Sequence, residues 1–184
     1  MPHGGLTVLC CLLCCLLGAA VLVVAIPAPH AAEPVTVSYR ADLAALARQA
    51  PYPAVAPAGL PAAWQPVGSG LTAGGAAGPG TVTWQLDYMT PDGALASLAE
   101  TNASPAAFVR RMTNEGTVLP PAQPSPPRLG GRAWTRSSAP ARGFTGQRSM
   151  YVTSPAGFTV VVTGDATWAE LRLLAASLRP VART

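Results

Sequence analysis

Lysine is absent from this 184-residue chain, and all 12 basic residues are arginine. Cysteine is confined to Cys10, Cys11, Cys14 and Cys15, and histidine to His3 and His30. Isoleucine occurs once, at Ile26. These absences exclude chemistry. Beyond residue 30 there is no thiol, imidazole or primary-amine side chain. Ser–His–Asp and Cys–His nucleophile systems and lysine bases therefore lack their parts there. No metal set of the Cys/His kind can be assembled there either. With no Cys beyond residue 15, that part of the chain needs no disulfide and carries no redox information. A Lys-free, Ile-poor chain rich in Ala, Pro, Gly and Val reads as the coding bias of a high-GC bacterium.

What the chain does have is concentrated at its start. Leu6 to Ile26 is an uninterrupted run without a charge, and it holds all four cysteines. A helix over that run is about 31 Å long, matching the hydrocarbon thickness of a bilayer. The competing reading is a cleaved signal cut after Gly18, Ala19 and Ala20. The apolar run continues through Val21, Leu22, Val23, Val24 and Ile26, so such a cut would fall inside the hydrophobic segment. A retained transmembrane helix over 6–26 is expected. The two cysteine pairs stand one helical turn apart, as zinc ligands can. Four thiolates in a bilayer would be costly, so they read as small packing residues. Positive-inside bias gives almost no orientation, because no Arg or Lys precedes the run.

A Pro/Ala linker is expected over 27–38, then one domain over 39–182, large enough for a core. The net charge of +4 favours anionic surfaces only weakly and says nothing for nucleic acid. Asp42 to Ala50 reads as a short helix capped by Asp42. Pro53 to Pro66 is too punctuated for long regular structure. Gly68 to Gly80 carries six glycines in thirteen residues and reads as a flexible connection. Val82, Trp84, Leu86 and Tyr88 then alternate with Thr83, Gln85 and Asp87, which is the pattern of a half-buried strand. Thr90 to Gly93 (TPDG) is a turn, and Ala94 to Glu100 the return strand. Ser104 and Pro105 open a helix with Phe108, Val109 and Met112 on its apolar side. Strands are expected over Arg132–Ser137, Gly146–Thr153 and Phe158–Thr163, with a turn at 154–157. Thr167 and Glu170 form a capping box for a final helix carrying Trp168, Leu171, Leu174, Ala175 and Leu178. The stretch from Pro91 recurs from Pro155, offset by 64 residues, as turn, strand, cap and helix; duplication and coincidence both fit. The element order predicts an α+β domain with a mostly antiparallel sheet of five to six strands and two to three helices.

Few residues carry binding chemistry. Seven of the arginines lie between Arg110 and Arg148, against one acid, Glu115. Within that stretch Arg132, Trp134 and Arg136 alternate on one expected strand face. Two guanidiniums beside an indole can hold an anionic or planar group. The same residues can equally be an edge strand kept soluble by its arginines. Asp87, Asp92, Glu100, Asp165 and Glu170 are the carboxylates on which acid–base catalysis would have to rest, and turn or capping roles account for three of them. No catalytic residue, cofactor or metal is expected.

Three stretches resemble a known family: Ala50 to Trp64 (APYPAVAPAGLPAAW), Trp84 to Tyr88 with the TPDG turn, and Gly130 to Trp134 (GGRAW). In this order they are similar to the actinobacterial family of domain of unknown function 4245. The resemblance implies a single-pass membrane protein with an extracytoplasmic C-terminal domain, and no established activity. The expectation is a non-catalytic, membrane-anchored envelope module. Its expected partners are the lipid bilayer and another envelope protein, and nucleic acid is not expected. The alternative is a binder of a small or lipid-like anionic ligand through Arg132, Trp134 and Arg136.

Overall fold

The computed structural model describes residues 35–74, 78–121, 125, 127–140 and 146–182. The expected membrane helix at 6–26 lies outside the described residues; among them no helix is long and apolar enough to cross a membrane. In chain order the elements are α1 (Arg40–Gln49), β1 (Val55–Pro57), β2 (Gln65–Ala73), β3 (Val82–Met89) and β4 (Leu95–Thr101). They continue with α2 (Pro105–Met112), β5 (Thr117–Leu119), β6 (Thr135–Ala139), β7 (Gln147–Thr153), β8 (Thr159–Gly164), α3 (Trp168–Ser177) and β9 (Leu178–Pro180). The fold is α+β. Seven strands form one sheet in the order β2-β3-β4-β8-β7-β6-β5, and β1 pairs with β9 in a separate two-stranded sheet. Every pairing is antiparallel.

Alternation decides which face each strand buries. Val82, Trp84, Leu86 and Tyr88 of β3 turn inward, where α1, α3 and the 50–64 segment cover them. Trp84, Leu86, Leu98, Val160, Val162, Leu171 and Leu174 are fully buried there. Each such aliphatic or aromatic side chain contributes about 1.5–3 kcal/mol. On the outer face α2 covers a smaller cluster, Ala99, Phe108 and Val161, with Tyr151 beside it. This explains the unbroken apolar run of β8: Val160 and Val162 face the main core while Val161 meets Phe108.

Three expectations are corrected. The sheet has seven strands, not five to six, because β5 and β2 pair at its two edges. β2 occupies much of the glycine-rich stretch expected to be flexible. Its backbone is paired with β3 from Gln65↔Met89 to Ala73↔Val82, so the ladder supplies the order that side chains do not. At Gly68 a Cβ would come within 2.9 Å of Asp87 Oδ2, so a larger residue there would require that carboxylate to shift. Asp42 does not cap α1, whose N-cap is Tyr39. Its Oδ2 instead accepts the Ser69 hydroxyl, which itself accepts the Trp84 indole N–H at 3.2 Å. That chain ties α1 to β2 and β3.

The linker end is not free of the domain: the Val37 N–H donates to Pro66 O at 2.8 Å. The TPDG turn closes as expected, with the Gly93 N–H on Thr90 O at 2.9 Å and Gly93 at φ 77°. The 154–157 turn repeats this. The two hairpins place β4 and β8 side by side, but α2 and α3 lie on opposite faces. A two-fold rotation of one hairpin-plus-helix unit would leave both helices on the same face, so the likeness stops at the hairpins.

Candidate functional site

The three residues singled out on the arginine strand do different things. β6 begins at Thr135, so Arg132 precedes it. Trp134 is buried toward the main core, and its indole N–H donates to Pro127 O at 3.0 Å. Arg136 sits opposite Met150 on the same inner face. Its guanidinium carbon lies 4.0 Å from the ring centroid of Trp168, the first residue of α3. That cation is held on an indole rather than presented to a ligand. Trp134 and Arg136 thus share a face, and Arg132 does not join them.

Arg132 has another neighbour. Gly130 and Gly131, at φ 55° and 79°, make a two-residue turn in which Leu129 and Arg132 exchange backbone hydrogen bonds of 3.1 and 3.0 Å. Positive φ at both central positions is the hairpin geometry that glycine allows. The turn sets Arg128 diagonally beside Arg132, and Arg128 Nη1 donates to Gly131 O at 3.0 Å. The two arginines line a hollow of about 370 Å³ with Thr135, Tyr151 and Thr153. Among the described residues the one ion pair is Arg110 with Glu115, at 3.8 Å, so neither arginine of this hollow faces a carboxylate. The signal was present in the sequence: a Gly-Gly pair between Leu129 and Arg132 is a two-residue hairpin loop, and it places Arg128 next to Arg132.

A second hollow of about 460 Å³ lies between α2 and the outer face of β6 and β7. Pro105, Ala106 and Val109 form one wall, and Tyr151 and Thr153 belong to both hollows. Ser137 lies in its floor, 1 % exposed, and its hydroxyl has no hydrogen-bond partner. A further hollow, about 730 Å³, runs along α2 from Ala103 and Ser104 to Asn114 and Glu115. Its cations are already engaged: Arg110 pairs with Glu115, and Arg111 stands 5.6 Å over the Phe108 ring.

The candidate carboxylates do not converge. Asp87 pairs across with Ser97 and Glu100 with Trp84, on opposite faces of the sheet. Asp165 Oδ1 accepts the Leu95 N–H at 2.6 Å. Glu170 Oε2 accepts both the Thr167 N–H and its hydroxyl at 2.8 Å. Partial burial opposes ionisation of Glu170, but hydrogen bonds from Thr90 and Thr167 outweigh it and hold the carboxyl below its ordinary value. Glu100 is the exception in character. It is fully buried, burial pushes its carboxyl up to about 8, and its one hydrogen bond, from the Val55 N–H at 3.1 Å, only partly opposes that. Its other oxygen is buried without a partner. Tyr52 is the titratable group beside it; burial first, and the Glu100 charge second, raise the Tyr52 hydroxyl far above its usual range. Among the described residues no cluster of His, Cys, Asp and Glu could hold a metal ion.

Fold and site together define an antiparallel α+β domain with a basic hollow at one end of its sheet. The chain matches the family described as Protein of unknown function (DUF4245) over residues 7–178, and it belongs to that family. No curated protein and no solved structure matches it.

Proposed function

We propose that this protein is a non-catalytic binding module, held in the cell membrane by residues 6–26, with its C-terminal domain outside the cytoplasm, where it binds an anionic component of the envelope. One observation carries the reading: Arg128 and Arg132 are brought to one hollow by the Gly130–Gly131 turn, and among the described residues no carboxylate pairs with either. Guanidiniums without a carboxylate partner, in a hollow also lined by Thr135, Tyr151 and Thr153, suit phosphate or carboxylate oxygens. The engagement of Asp165, Glu170 and Glu100 in backbone hydrogen bonds supports binding rather than acid–base catalysis. The uncharged run of residues 6–26 supports the anchor.

The test is a titration of the full chain, in discs of zwitterionic lipid, with inorganic phosphate, followed by the amide shifts of Thr135 and Thr153. Saturable shifts are expected, weakening as salt is added. Arg128→Ala with Arg132→Ala should reduce affinity by about tenfold or more, each charge-assisted hydrogen bond contributing about 1.5–3 kcal/mol. Equal titration of the variant and the natural chain would sink the proposal.

A further inference from the structure

The basic hollow and the hollow under α2 share Tyr151 and Thr153. One end is lined by two cations without carboxylate partners. The other has Pro105, Ala106 and Val109 along one wall and the mutually paired Arg110 and Glu115 in its lining, and Tyr151 lines both. Each volume lies within the range of about 300–1,000 Å³ usual for small-molecule sites. A charged end and an apolar end on one sheet face do not suit a bare phosphate or a plain hydrocarbon. They suit a molecule that is anionic at one end and apolar at the other.

From this we infer that the two hollows are one site for an anionic amphiphile of the membrane. The head lies on Arg128 and Arg132, and an acyl chain lies along the α2 wall at Ala106 and Val109. This rests on the reading of the arginine hollow as an anion site. The charge complementarity is local, because the other arginines nearby are already occupied: Arg110 on Glu115, Arg111 over Phe108 and Arg136 over Trp168. The Ser137 hydroxyl, buried and unpartnered in the floor of the apolar end, is a polar group that a small rotation would offer to a chain carrying a hydroxyl or ester oxygen.

The experiment titrates the full chain in zwitterionic discs with inorganic phosphate and with octyl phosphate below its micellar concentration, again by the Thr135 and Thr153 amides. Octyl phosphate should bind about tenfold tighter or more, because the chain buries methylene groups that phosphate lacks. Ala106 is exposed on α2 and is not part of the arginine end, so Ala106→Trp fills the apolar wall without touching the cations. That variant should lose the octyl advantage and still bind inorganic phosphate. Equal affinity for the two phosphates would overturn the amphiphile while leaving the anion site standing. An octyl advantage that survives Ala106→Trp would mean that the chain sits in the disc, and it too overturns the inference. Binding of neither phosphate would overturn both readings.

Discussion

Glu100 occupies a position on β4 where alternation sends the side chain into the main core, between Trp84 on one neighbour and Val160 on the other. The Val55 N–H, which β9 leaves free, gives it one bond and fastens β1 to the large sheet. A carboxyl raised to about 8 is protonated in the folded protein at neutral pH. The sign of its effect follows. Below pH 4.5 both folded and unfolded chains hold the proton. Between 4.5 and about 8 only the folded chain does, so stability falls as pH rises, by up to about 5 kcal/mol. Denaturation midpoints at pH 5 and pH 8.5 check this, with Tyr52 the group beside it. Glu100→Gln keeps an acceptor for Val55 and removes the titration, so its midpoint should change far less between the two. The same pH dependence in both proteins would refute the assignment. The sequence placed Glu100 on the return strand after the TPDG turn, as one of five candidate carboxylates. Its burial was not legible, because nothing in the sequence places Val55 and Tyr52 over it.

Helix ends show which sequence signals carry physical weight. Thr167 and Glu170 make the full capping box that their spacing announces. Ser104 has the sequence of a cap, but its side chain makes no cap hydrogen bond. Thr167→Ala should therefore cost about 1 kcal/mol, while Ser104→Ala should cost no more than a few tenths. Parallel urea titrations compare them, and equal losses would contradict the difference. β3, β4, β7 and β8 were legible to within a residue, whereas β6 begins at Thr135 and not at the expected Arg132. β2 was not, because Gly68, Ser69 and Gly70 carry almost no propensity and its order comes from the β3 ladder. β1 and β9, three residues each, hold together through contacts 125 residues apart (Val55↔Pro180), which no local pattern reveals. The arginine site was half legible. Arg132 was marked, but strand periodicity joined it to Trp134 and Arg136, whereas the Gly130–Gly131 turn joins it to Arg128.

At the scale of the whole molecule, a net charge of +4 is too small to steer partners by itself. What distinguishes the domain is a hollow at one end of its sheet lined by two arginines, Arg128 and Arg132, that no carboxylate pairs among the described residues, whereas Arg110 pairs with Glu115 and Arg111 and Arg136 stand over aromatic rings. The most direct test is native mass spectrometry of the full chain, released from its own membranes in a neutral detergent. One anionic amphiphile per chain is expected as an adduct of the natural sequence, absent after Arg128→Ala with Arg132→Ala. A chain that emerges without an adduct, or an adduct equally abundant in the variant, would contradict the account.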